Sequence, residues 1–304
     1  MSLFAPPRPI EAHVFARVPD RFRRPTVTAW SEANKPGVAV DCFLEGPSID
    51  PDGNLYVTDI PFGRVFRISP AGGWTLVAEY DGWPNGLKIH RDGRIFITDY
   101  KRGVMLLDAA SGAVTPLIET RRSESFKGVN DLVFGRDGDL YFTDQGQTGW
   151  HDPSGRVYRL GTDGRLDLLI GNVPSPNGLV LNLDETQLWV AVTRANAIWR
   201  LPLMHDGGVS KVGTFIQLSG GSGGPDGLAL DAEGGLVVAH LGLGVWRFDR
   251  LGRPTHHVGP DDAFCTNVAF GGPENRTLYM TESNRGEILA AEMPVAGKPM
   301  FSHS

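Results

Sequence analysis

The chain has 304 residues, 41% of them hydrophobic and 21% charged, with a formal net charge of -6. That acidic balance, with a pI near 5.8, leaves no basic footprint for a nucleic acid or an anionic membrane surface. No apolar run is long enough to span a bilayer, the N-terminus lacks a basic segment followed by an apolar core, and two cysteines are too few for a disulfide scaffold, so a reduced, cytoplasmic setting is expected.

Residues 1–12 carry Pro6, Pro7 and Pro9 and read as an irregular lead-in. Residues 13–18 (HVFARV) alternate as a strand does, with no repeat of their own. A long connection over one face follows at 20–40, containing Arg21, Arg23 and Arg24, and no helix of useful length is expected there. Then comes the stretch that recurs, residues 45–59 (EGPSIDPDGNLYVTD), with approximate copies beginning at Asn85, Asn130, Asn177, Asp226 and Asn267. Successive starts lie 40, 45, 47, 49 and 41 residues apart, the period of a four-stranded propeller blade.

Each copy reads as strand, tight turn, strand, then a more variable third and fourth strand. The turn is Asp52-Gly53, Asp92-Gly93 and Asp137-Gly138 in the first three copies, a hairpin dipeptide because glycine accepts positive φ without a Cβ clash. The strands after it (LYVT, IFIT) are apolar at both parities, so both faces are expected to be buried between neighbouring sheets. The last copy runs into Pro294 without a fourth strand, which leaves 13–18 to complete it and close the ring. The expected fold is therefore all-β: a single six-bladed β-propeller domain over 1–304, of four-stranded antiparallel blades, the last closed by the N-terminal strand. Cys42 and Cys265 fall beside the first and last copies and read as two reduced, buried thiols, with a bond between them left open.

The residue that opens the innermost strand of each blade points at the common axis from one end. Those residues are Glu45, Asn85, Asn130, Asn177, Asp226 and Asn267. Two carboxylates among amide oxygens suit one hard divalent cation, with Glu45, Asn177 and Asp226 as ligands and Asn130 as a further oxygen. Calcium comes first on that donor set, with magnesium, manganese and zinc as alternatives. For Asn85 and Asn267, bonding within their own turns accounts for the residue type equally well. A second, outer ring forms where the next strand returns: Asp59, Asp99, Asp144, Val192, His240 and Glu282. Asp59 and Asp99 read as caps of the turns that follow, Asp144 and His240 as substrate contacts on equal terms with that reading. Loops at 60–63, 82–84, 145–152, 194–197 and 241–243 should wall the same end, where Phe62, Trp83 and Trp150 suit an organic ligand.

Leu44-Glu45-Gly46-Pro47, Pro176-Asn177-Gly178-Leu179 and Pro225-Asp226-Gly227-Leu228, taken together over about residues 13–293, resemble the SMP-30/gluconolactonase family of six-bladed propeller lactonases, with its regucalcin-like and Drp35-like members. The resemblance implies one catalytic divalent metal held at Glu45, Asn177 and Asp226. It makes Asn130 a further ligand or a substrate contact, and extends the same attention to Asp131. Several sugar lactonases of the family carry arginine two residues ahead of the Asn130 position, where this chain has Gly128, preceded by Lys127. The expected reaction is opening of a lactone by metal-activated water, with Asp226 as general base. The expected substrate contacts are Asn130, Asp131, Asn85, Asp144, Trp150 and His240. No Gly-x-Ser-x-Gly elbow occurs, so a serine hydrolase is not indicated. Two rivals share the scaffold: a phosphotriester or fluorophosphate hydrolase, and a non-catalytic calcium-binding propeller that docks a protein.

Overall fold

A computed structural model describes residues 4–303, so the first three residues of the expected lead-in and the last residue of the chain lie outside the described residues. Six sheets surround a central channel. Blade one is Leu44–Ile49, Leu55–Asp59, Arg64–Ile68 and Trp74–Glu79, paired in that order from the axis outward. Blades two to five open with Pro84–Ile89, Val129–Phe134, Pro176–Leu181 and Pro225–Leu230 and repeat the arrangement. Blade six is Cys265–Gly271, Thr277–Glu282 and Glu287–Glu292, and its outermost strand is His13–Arg17, antiparallel to Glu287–Glu292. The N-terminal strand thus closes the ring as expected.

Apolar side chains of both parities pack between neighbouring blades. Val180, Trp189, Ala191 and Ile198 of blade four lie against Leu228, Leu230, Leu236 and Val238 of blade five, all buried. Cys42 and Cys265 are both buried and unbonded.

Two expectations at the N-terminus need correction. Arg8–Ile10, within the supposed irregular lead-in, is a strand parallel to Pro254–Val258 on the outer edge of blade five. Its prolines are compatible with this because an edge strand leaves alternate N–H groups unneeded. The connection at 20–40 also contains a helix, Ala29–Asn34. Thr28 caps it by accepting from Ser31 N while Ser31 Oγ accepts from Thr28 N, a reciprocal pair that stabilises six residues too few to hold as a helix alone. Trp30 anchors this helix in a small cluster with Val40 and Ile60.

Candidate active site

Every innermost strand is irregular at the same place. The pairing register shifts just after the first residue in all six blades, between Glu45 and Ser48, Pro84 and Leu87, Val129 and Leu132, Pro176 and Leu179, Pro225 and Leu228, and Cys265 and Asn267. A bulge re-aims the side chains beside it, here toward the axis. Threonines on the second strands lock the positions from blade to blade: Thr58 Oγ1 donates to Asn85 O (2.6 Å), Thr98 Oγ1 to Asn130 O (2.5 Å) and Thr143 Oγ1 to Asn177 O (2.9 Å).

The result is a cavity of about 190 Å³ at one mouth of the channel, lined by Glu45, Asn85, Asn130, Asn177 and Asp226. Five of the six residues expected to converge therefore do so. The sixth repeat was misaligned. Cys265 pairs with Glu282 as Pro225 pairs with His240, and Val268 with Met280 as Leu228 with Val238, which puts Thr266 in the ring and Asn267 one residue deeper. Thr266 is buried and its hydroxyl donates to Leu44 O (2.8 Å).

That deeper level is Gly46, Gly86, Asp131, Gly178, Gly227 and Asn267. Four glycines make room for two polar side chains: a Cβ on Gly46 would stand 2.3 Å from Asn85 O, and one on Gly227 only 2.0 Å from Asn267 Oδ1. Asn267 Nδ2 donates to Glu45 Oε2 (2.8 Å) and to Asp131 Oδ2 (3.2 Å), so the floor is a hydrogen-bonded bridge under the ring. Asn130 Nδ2 donates to Gln145 Oε1 (2.9 Å), so the amide oxygen is not engaged in that bond.

Glu45, Asp131 and Asp226 are all buried. Burial pushes the Glu45 carboxyl above the usual glutamate range, and the neighbouring Asp131 charge adds to it. Asp226 is raised well above an ordinary aspartate by burial and then by Glu45 and Asp131, against a hydrogen bond from Asn177 and the positive charge of Arg194. Three buried acids elsewhere have guanidinium partners, Asp144 with Arg156 (2.5 Å), Asp231 with Arg247 (2.7 Å) and Asp59 with Arg64 (3.5 Å), while Asp99 and Glu282 are held by hydroxyl and backbone N–H donors. Among the described residues no such ion pair reaches Glu45, Asp131 or Asp226. An all-oxygen donor set with uncompensated buried charge fits a hard divalent cation. No three His, Cys, Asp or Glu side chains among the described residues gather as a metal cluster, so a cation here would also need the amide oxygens.

The outer ring does different work. Asp59 Oδ1 accepts from Phe43 N (2.8 Å), Asp144 Oδ1 from Gly128 N (2.8 Å) and Glu282 Oε1 from Phe264 N (3.1 Å). Asp99 Oδ1 accepts from Lys101 N (2.8 Å) and its Oδ2 from Tyr80 Oη (2.8 Å). These acids peg the segments entering and leaving the ring, and none lines the cavity. His240 is buried with Nε2 2.9 Å from Asn196 Oδ1, Trp150 is 69% exposed, and neither lines the cavity. The walls come instead from Trp30, Asn34 and Lys35 of the helix and its C-cap, and from Phe43, Ile60, Tyr100, Gln145, Thr193, Arg194, Leu241 and Phe264. Tyr100 fills the space beside Gly128, where a Cβ would come within 2.5 Å of its ring. The signal for the missed helix was the Thr28-x-x-Ser31 cap.

A family model described as SMP-30/Gluconolactonase/LRE-like region matches residues 43–284. The chain belongs to that family. It is 32% identical over 247 residues to Lactonase drp35 of Staphylococcus aureus, covering 77% of this chain and 74% of that protein. With Lactonase drp35 of Staphylococcus saprophyticus the identity is 33% over 248 residues, at 77% and 74% coverage. Two solved structures share the fold: a gluconolactonase from Xanthomonas campestris (TM-score 0.75, 23% identity, 96% of this chain and 99% of that one) and the calcium-binding protein regucalcin from Agrobacterium tumefaciens (TM-score 0.77, 22% identity, 99% and 100%). No helix among the described residues is long and apolar enough to cross a membrane.

Proposed function

We propose that this protein is a lactonase that hydrolyses a small lactone at the ringed mouth of its channel, with Glu45, Asn177 and Asp226 holding one divalent cation, calcium first. The observation that carries this reading is the buried pair Glu45 and Asp226, held in no direct ion pair among the described residues and set among amide oxygens in one small cavity. The names of the Staphylococcus relatives support the reaction. A cation bound there supplies a Lewis acid for the carbonyl oxygen and lowers the pKa of water.

The remaining steps belong to the chain. Asp226 accepts a proton from the attacking water, whose oxygen forms the new bond to the carbonyl carbon. The ring C–O bond breaks and the proton passes to the departing ring oxygen, giving a hydroxy acid. Asn267 fixes Glu45 by its 2.8 Å bond, and Gln145 fixes Asn130. Asn85 and Asn130 are placed to orient the lactone, while Trp30, Phe43, Tyr100 and Phe264 shield it from water. Asp131 acts from below through Asn267. Asp144, His240 and Trp150 lie outside the cavity lining.

The test is a panel of lactones and phosphotriesters on chelated protein, with calcium, magnesium, manganese and zinc restored in turn. Lactone hydrolysis dependent on added metal is expected. Hydrolysis of phosphotriesters alone, or full lactone turnover by chelated protein, would overturn the reading.

A further inference from the structure

The floor of the cavity is acidic, and its rim carries two cations, Lys35 and Arg194, that form no direct ion pair among the described residues, although Glu282 and Asp226 lie within their electrostatic reach. Lys35, at the end of the capped helix, is half-buried and lines the cavity. Its Nζ sits over the rings of Phe43 (4.9 Å) and Phe264 (5.2 Å), and its one hydrogen bond among the described residues goes to Asn284 Oδ1 (3.2 Å). Burial pulls its pKa below the usual lysine range, outweighing the opposing pull of the Glu282 carboxylate. Arg194, on the turn Thr193–Ala195, also lines the cavity, is exposed, and among the described residues shows neither a hydrogen bond nor an ion pair. Other basic residues near this end are already engaged: Lys101 with Asp81 (2.7 Å), Arg156 with Asp144 (2.5 Å) and Lys127 with Asp152 (3.7 Å).

We infer that the lactone this site selects carries a carboxylate, bound at the rim by Lys35 and Arg194 while its ring carbonyl faces Glu45 and Asp226. The inference rests on the lactonase reading and deepens it. A cavity negative below and positive above has a field along its depth, and a substrate with the opposite polarity satisfies both ends. Lys35 is held by aromatic faces, so little side-chain freedom remains to be lost when a carboxylate arrives. Phe43, Tyr100 and Phe264 lower the local dielectric, which strengthens a charge-assisted hydrogen bond and gives polyol hydroxyls few partners there.

The experiment compares γ-carboxy-γ-butyrolactone with its neutral carboxamide on metal-restored protein. A preference of about tenfold or more in kcat/KM for the carboxylate is expected, the yield of one hydrogen bond to a charged group. The ratio should fall toward unity in Arg194→Gln and in Lys35→Gln, and should shrink as salt is raised. A second arm measures calorimetric binding of the ring-opened dicarboxylate and of the monocarboxylate lacking the pendant group. Hydrolysis of neutral lactones with no carboxylate preference would overturn the inference and leave the lactonase reading standing. No lactone hydrolysis at all, with tighter dicarboxylate binding that both variants abolish, would support the rim assignment and overturn the reaction. Equal binding of the two acids would overturn the rim assignment whatever the activity.

Discussion

The two mouths of the central channel are built from the same six strands and end in opposite ways. At one, the second and third positions of each strand assemble buried carboxylates and amides around a cavity of about 190 Å³. At the other, the fifth positions supply Ser48, Lys88, Val133, Val180, Ala229 and Ala269 around a void of about 110 Å³, and the C-terminal segment plugs it. Lys298 N donates to Leu230 O (2.8 Å), Ser48 Oγ lies 3.8 Å from Met300 Sδ, and Phe301 stacks on Phe134 with centroids 4.9 Å apart. One end keeps polar atoms available and the other consumes them. The larger apolar character of the plugged end makes it a packing feature, whereas the chemistry lies where charge is left unmatched.

That contrast can be broken most severely at Asp226. Asp226→Asn should lower kcat/KM by about a hundredfold or more while the far-ultraviolet spectrum stays unchanged, as loss of a general base does. Wild-type turnover in that variant, with metal still bound, would remove Asp226 from the role. Next in size is the floor: Asn267→Leu leaves Glu45 and Asp131 without their bridge and should weaken metal binding about ten- to a hundredfold by calorimetry. The pH response is smaller. Glu45 and Asp226 have folded pKa values raised above their unfolded ones, so their contribution to stability is complete below the unfolded pKa and is lost as pH rises through the folded pKa. The melting temperature of metal-free protein should therefore decline from the ordinary carboxylate range upward through neutrality, and saturating calcium should flatten that decline. A metal-free profile that rises over the same interval would contradict the uncompensated-charge account. Smallest in its effect on turnover is Met300→Ala at the plug, which should cost about 2 kcal/mol in denaturant unfolding and leave kcat/KM within about twofold.

Most of the architecture was legible because a period of 40 to 49 residues and an incomplete last repeat leave few alternatives to a ring closed by the N-terminal strand. Glu45, Asn177 and Asp226 were legible because each is followed by Gly, and the glycine is what the crowded axis demands. Asn267 was misplaced for a different reason, since Val268 and not glycine follows it. It is an amide in a position where the other repeats have an amide one residue earlier, and only strand pairing shows that Thr266 holds the ring place. Asp144 and His240 were ambiguous because an acid that pegs a backbone N–H and an acid that contacts a substrate look alike in a sequence. Lys35 and Trp30 were missed because a six-residue helix has too little periodicity to register, and its placement over the cavity depends on Ile60 and Val40 from elsewhere.

The strand His13–Arg17 pairs with Glu287–Glu292, and Arg8–Ile10 with Pro254–Val258. During synthesis these two early strands must wait for partners more than 240 residues later in the chain before they find their places. Until then the nascent chain is a crescent with two bare strand edges, exposed to mispairing with its neighbours on a polysome. Emergence of Glu287–Glu292 is thus the event that turns an aggregation-prone intermediate into a sealed ring.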